Sequence, residues 1–170
     1  MAEKCRAFIG ADDEKPFFLY FCTSEPHRPF KRDGSAPVAP DDVEVPDYLP
    51  DIPECREELA QYAMSLERAD QGLATLLQTL EETGHWDDTL VIAISDNGIA
   101  FPGAKTVLYE PGVNLPCAVR NPFGDARNAE CNALVTWADI APTILDFAGV
   151  SFGPRRFHGR SFLNAIEERD

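Results

Sequence analysis

The sequence predicts an α/β fold, with a mostly parallel sheet flanked by helices. Two observations carry that expectation. Short aliphatic and aromatic runs, Pro16–Phe21, Leu90–Ile94 and Leu115–Arg120, have the length and composition of strands. Two stretches of helical periodicity, about Glu54 to Thr83 and Thr136 to Phe147, lie between and after them. Strands separated by helices need crossover connections, and crossovers leave neighbouring strands parallel.

The elements follow in order. Pro16-Phe17-Phe18-Leu19-Tyr20-Phe21 is a short, strongly apolar strand. Residues 25–53 are expected to form one long irregular loop, because Pro26, Pro29, Pro37, Pro40, Pro46, Pro50 and Pro53 interrupt any ladder. The acidic pair Asp41-Asp42 within it reads as solvated loop. Leu59, Tyr62, Ala63, Leu66, Ala69, Leu73, Leu76, Leu77 and Leu80 then recur at the helical period, and Gly84 supplies the stop. Leu90 to Ile94 reads as a strand buried on both faces. Leu115 to Arg120 is a further strand. The last helix tolerates Pro142 near its start and ends before Gly149.

Composition narrows the class. A chain of 170 residues suffices for one domain with a real core. No apolar run approaches the roughly 18 to 20 residues that span a bilayer. Met1 to Arg6 carries mixed charge with no apolar stretch after it, unlike a secretory signal. The formal net charge of −14 works against binding nucleic acid or an anionic membrane. Five scattered cysteines with no C-x-x-C pair argue against a zinc site or a dense disulfide framework. Cys22 and Cys117 lie in apolar runs and are expected to be buried packing residues. The compartment is left open.

The strand at Leu90–Ile94 ends in Asp96-Asn97-Gly98, a carboxylate, an amide and a residue free to take positive φ. Hard oxygen ligands at the carboxyl end of a central strand suit a divalent cation. The same tripeptide is also good turn chemistry. The surrounding residues favour the metal. Asp96 to Pro116, with its Phe101-Pro102-Gly103-Ala104-Lys105-Thr106 core and Leu108-Tyr109-Glu110-Pro111-Gly112-Val113 element, resembles the metal segment of the sulfatase family. The wording is most similar to the branch containing heparan N-sulfatases (sulfamidases). Pro16–Phe21 followed by Pro26-His27-Arg28-Pro29 resembles the family's strand and active-site Pro-His. Further matches are Ala69-Asp70-Gln71-Gly72, Asp88-Thr89-Leu90, Trp137 to Leu145 and Gly159-Arg160-Ser161-Phe162-Leu163.

The resemblance implies an alkaline-phosphatase-like fold and hydrolysis of a sulfate ester or sulfamate. Asp96 and Asn97 are then oxygen ligands to one Ca²⁺, a Lewis acid on the sulfate. Lys105 places a point charge on a sulfate oxygen. His27 donates a proton or binds a sulfate oxygen. The substrate is a sulfated small molecule or sugar. The average charge repels such an anion, so binding needs a locally basic cleft, for which Lys105 and Arg120 are the candidates. His85 and His158 are expected to face solvent, Asp70 to make a structural hydrogen bond and Arg120 to be structural.

The family's formylglycine arises from Cys or Ser in a Cys/Ser-x-Pro/Ala-x-Arg motif, and no cysteine here has Arg four positions on. Ser24-Glu25-Pro26-His27-Arg28 fits the pattern, but it coincides with the Pro-His element and lacks the Thr-Gly that normally follows. The strand carrying the family's Asp-Asp pair and its small C-terminal domain have no counterpart either. Arg6-Ala7-Phe8-Ile9 already resembles internal sequence. Residues 1–170 are therefore expected to be the middle-to-late part of a catalytic domain, inactive alone and prone to self-association through exposed sheet. Two rivals stand beside this reading. One is a phosphonate or phosphate ester hydrolase of the same superfamily. The other is a non-catalytic remnant or binding module.

Overall fold

A computed structural model describes residues 2–11, 15–30, 38–126, 128–153 and 156–167. They fall into two compact units, Met1–Trp86 with Ile94–Cys117, and Asp87–Ala93 with Ala118–Asp170.

In the first unit a 3-10 turn, Ala2–Cys5, leads into a single helical turn, α1, Arg6–Ile9. Both pack against the long helix α2, Pro53–Thr83. Helix α2 matches the expected stretch of about Glu54 to Thr83, and its ends show why. Ile52 enters extended and Pro53 takes the first helical position, where a missing N–H removes nothing. Gly84 closes the helix at φ +79°, a conformation disfavoured for side chains, and the His85 N–H donates to the Leu80 carbonyl at 2.8 Å. Arg6 pairs with Glu82 near that end.

The N-terminal half of α2 carries the unit's main core. Phe30, Leu49, Leu59 and Phe101 are buried together, with Val43, Val45, Cys55, Tyr62, Ile99 and Ala100 packed around them. Phe30 stacks on Phe101 at 5.9 Å, and Tyr62 meets both rings edge-on at 5.6 and 5.9 Å. Each such pair contributes about 0.5–1.5 kcal/mol beyond its buried area. The proline-rich loop therefore supplies core through Phe30, Val43, Val45 and Leu49. Its residues 31–37 lie outside those described, and its other residues hold a 3-10 turn, Pro40–Asp42, with Asp41 and Asp42 exposed.

Beyond α2 come a 3-10 turn, Trp86–Asp88, strand β1, Val91–Ile94, the short helix α3, Glu110–Val113, and strand β2, Cys117–Arg120. Strands β1 and β2 pair as a two-stranded sheet, the sheet formed among the described residues. Several expectations are corrected by it. Pro16–Phe21 forms no strand, and Phe18 and Tyr20 are exposed. Strand β1 is half-buried, with Ile94 exposed, and is not covered on both faces. Cys22 and Cys117 are exposed, although partial burial of the Cys117 thiol still pushes its pKa up. The physical reason is common to all three. A run of apolar residues becomes a buried strand only when partners occupy both its edges and its faces, and two strands provide neither.

In the second unit the expected helix from Thr136 to Phe147 begins as a 3-10 turn, Trp137–Asp139, and continues as α4, Ile140–Phe147. Thr136 and Asp139 form a reciprocal capping box. Pro142 is buried in the first turn of α4. Gly149 follows at φ +67°. The Gly159–Leu163 turn is clasped to α4: Asp139 accepts from the Arg160 N–H at 2.8 Å, and buried Thr143 accepts from the Phe162 N–H at 3.1 Å. Helix α5, Leu163–Glu167, comes next.

Candidate functional site

Strand β1 runs into Ser95-Asp96-Asn97-Gly98, and a set of local hydrogen bonds shapes that exit. The Ser95 hydroxyl donates to the Asn97 carbonyl at 2.7 Å, and the Asn97 amide nitrogen donates to the Gly98 carbonyl at 2.8 Å. Asn97 thereby commits its nitrogen and keeps its side-chain oxygen for another partner. The Asp96 carboxylate is exposed and accepts no hydrogen bond from a described residue.

Gly98 is buried and does not use the positive φ open to it. Its requirement is space. A Cβ there would overlap the Pro111 carbonyl oxygen, and one on Gly112 would overlap the Val107 carbonyl oxygen. The loop from Gly98 to Gly112 closes on itself by direct backbone approach, around fully buried Ala104. Half-buried Lys105 is held within it by its N–H to the Phe101 carbonyl at 3.4 Å. The next residue, Thr106, sits at φ +65°, a region that costs a β-branched side chain about 1–3 kcal/mol.

His27 is exposed in a turn closed by its N–H to the Ser24 carbonyl at 2.9 Å. Its Nδ1 donates to the Arg28 carbonyl at 2.7 Å, which leaves Nε2 as the nitrogen open to a substrate. Arg28 ties this turn to the rest of the site. Its Nε donates to the Ala100 carbonyl at 2.8 Å, and Nη1 and Nη2 donate to the Glu58 carboxylate at 2.6 and 2.8 Å. Its guanidinium lies 4.7 Å from the Phe30 ring centre and 4.8 Å from that of Phe101. The Glu58 hydrogen bond raises the Arg28 pKa, and the reciprocal bond lowers that of Glu58. The Tyr20 phenol is also pushed up, chiefly by its hydrogen bond with Cys22 and least by the Asp96 carboxylate, which lies within electrostatic reach.

All four expected site residues, His27, Asp96, Asn97 and Lys105, thus lie in the first unit. Among the described residues no hydrogen bond or ion pair joins them directly to one another. Their chemistry can be tested against a hard cation. Asp96 and Asn97 offer one anionic and one neutral oxygen, the donor types that Ca²⁺ prefers, but Ca²⁺ takes about 6–8 oxygens. No cluster of three or more His, Cys, Asp or Glu among the described residues could hold a metal. The pair fits calcium in kind and would make up only part of a shell.

The remaining candidates separate as follows. His85 is not solvent-facing as expected: it is half-buried, edge-on to Phe17 at 5.4 Å, because the helix stop at Gly84 turns it back onto the unit. His158 is exposed. Arg120 is structural, its Nη1 donating to the Thr89 carbonyl at 3.2 Å. Asp70 is exposed on α2 and makes no structural hydrogen bond with a described residue, since its side chain points away from the packed face. Arg28 and Glu58 were not singled out by sequence. The one available signal was Arg28's place beside His27.

One anionic and one neutral oxygen at a strand exit, a lysine on a closed loop and a histidine turn pinned to that loop are thus presented by one unit. The sulfatase family profile matches residues 1–150, and the chain belongs to the sulfatase family. It is 37% identical to human N-sulphoglucosamine sulphohydrolase over 95% of its own length and 39% of that protein's. It is 29% identical to a multifunctional alkaline phosphatase superfamily protein of Trinickia caryophylli, over 98% of this chain and 40% of that protein. A solved structure, described as a complex with its substrate D-glucosamine-2-N,6-O-disulfate, matches with a TM-score of 0.59 and 27% identity. That match covers 71% of this chain and 26% of the other. The chain spans about two fifths of the length of these two curated relatives.

Proposed function

We propose that this chain supplies the calcium- and sulfate-binding portion of a hydrolase acting on a sulfate ester or sulfamate, of the N-sulfoglucosamine sulfohydrolase kind. The observation that carries this is the 37% identity over 95% of the chain to the human sulphohydrolase. Asp96 and Asn97 hold one calcium ion through their side-chain oxygens. Bound there, Ca²⁺ supplies positive charge to the sulfuryl oxygens. Lys105 sets its ammonium against a sulfate oxygen. His27, with Nδ1 engaged by the Arg28 carbonyl, presents Nε2 to a sulfate oxygen or to the leaving group. The substrate is a sulfated sugar or small molecule, in keeping with the disulfated glucosamine in the matched structure.

The nucleophile comes from outside these 170 residues. Ser24 remains the one formal match to the modification motif, but the arginine that motif requires, Arg28, is committed to Glu58 and Ala100. Residues Met1 to Asp170 alone are therefore expected to leave a chromogenic aryl sulfate and N-sulfoglucosamine intact with Ca²⁺ present. Turnover that disappears in Ser24→Ala would show the nucleophile to be internal. The likeness to the multifunctional alkaline phosphatase superfamily protein favours a second reading, a phosphate or phosphonate ester hydrolase. Preference for an aryl phosphate over the sulfate in a chain that joins this segment to an upstream Ser or Thr nucleophile would establish it.

The role split is tested by calorimetric calcium titration. Asp96→Ala removes a charged ligand and should weaken calcium binding at least about tenfold. Lys105→Ala should leave the affinity unchanged and lose sulfate-dependent binding only. Equal calcium loss in both variants would refute the assignment.

A further inference from the structure

The two halves of the candidate site come from distant parts of the sequence, and one side chain spans them. We propose that Arg28 is the positioning residue that fastens the His27 turn to the loop carrying Asp96, Asn97 and Lys105, an inference that rests on the function proposed above.

Three separate restraints converge on this guanidinium. The bidentate bonds to Glu58 fix its plane relative to α2. The Phe30 and Phe101 rings, stacked on each other at 5.9 Å, both lie against it. With the plane fixed, Nε points at the Ala100 carbonyl, four residues after Asp96 and five before Lys105. On the other side Arg28 is joined to His27 twice, by the peptide bond and by its carbonyl, which accepts the Nδ1 proton. The same residue thus sets which imidazole nitrogen is presented and where the metal loop stands relative to it.

Lysine cannot do this. A single ammonium lacks the planar fork that serves Glu58 and Ala100 together, and it stacks poorly against aromatic rings. Arg28 touches neither substrate nor metal in this scheme. It acts through His27 and the loop.

The test uses the 170-residue chain and reads position directly. Imidazole nitrogen NMR at about pH 8.5, where histidines are largely neutral, reports the tautomer. His85→Gln and His158→Gln assign the three signals. Native His27 should be mainly Nδ1-protonated. Arg28→Lys should move it towards an even tautomer mixture and speed amide exchange at Ala104 and Lys105 on the order of tenfold, with α2 amides unchanged. Glu58→Gln, which keeps the Ala100 bond and the ring contacts, should give a smaller shift in the same direction and serves if Arg28→Lys fails to fold. An unaltered tautomer and loop exchange in folded Arg28→Lys would overturn the proposal. So would a uniform rise in exchange along the whole chain in both variants, which marks Arg28 as general packing. Calcium titration of the native chain is the separate arm. If calcium does not bind while the tautomer and loop respond as stated, the functional reading fails and the fastening role of Arg28 stands.

Discussion

At the scale of single residues the site is shaped by what is small as much as by what is charged. Gly98 and Gly112 allow backbone to meet backbone, and any side chain at either would push the loop open. Gly98→Ala should therefore destabilise the chain by about 1–3 kcal/mol, the usual range for overpacking. Gly72 makes the contrast. It sits within α2, with nothing within 4 Å of the position a Cβ would occupy. Gly72→Ala should stabilise by about 0.5–1 kcal/mol. Urea unfolding followed by helical circular dichroism measures both, and a destabilising Gly72→Ala would contradict the account. Legibility at this scale was uneven. The place of Asp96 and Asn97 at a strand exit could be read, because the aliphatic run stops just before them. Arg28 and Glu58 could not, because a bidentate pair formed across 30 positions leaves no local trace in one sequence.

At the scale of elements, the helices and the positions of β1 and β2 were readable, while strand burial was not. Helix α2 announces itself through many turns of periodicity and two terminal signals, Pro53 and Gly84. A strand's burial is set by neighbours that its own residues do not encode, so β1 forms where expected but half-buried, and Pro16–Phe21 forms no strand. The capping box ahead of α4 gives a pH-dependent prediction. The Asp139 carboxyl is held below its ordinary value, first by the Thr136 N–H and next by the Arg160 N–H. A carboxyl lowered by folding contributes stability that is complete above its unfolded pKa, about 3.9. That contribution is lost as pH falls through the lower folded value. Acidification below about pH 4 should therefore loosen the α4 clasp in the native chain, while Asp139→Asn, already weakened, should respond less. Unfolding curves at stepped pH, read by fluorescence of nearby Trp137, check this. Parallel pH profiles for the two would refute it.

At the scale of the whole molecule, two opposing surface properties set behaviour in solution. The formal charge of −14 keeps copies apart. Phe18, Tyr20, Leu108 and Tyr109 in the first unit, and Phe123 and Leu134 in the second, are exposed, and exposed apolar surface favours association. Salt screens the first effect and leaves the second. The isolated 170-residue chain should therefore associate more strongly as salt rises, and sedimentation velocity at low and high ionic strength tests this. A monomer throughout would show these side chains to be harmless. The α/β class was legible at this scale from the alternation of runs. The extent of the sheet was not, because pairing depends on strands that no local pattern can supply.

The closed loop after β1 has one more consequence. The Ser95 N–H donates to the Pro116 carbonyl at 3.4 Å, so the segment from Ser95 to Pro116 begins and ends at the same place. Its interior is folded back on itself through Gly98 and Gly112. The stretch is therefore closed at its neck and keyed into the rest of the unit at a second place, through Phe101 and the Ala100 carbonyl. Fixed at both places, it holds Asp96, Asn97 and Lys105 as one piece, like a key held by its bow and its bit. Its outward residues, such as exposed Leu108 and Tyr109, can vary without touching either fastening.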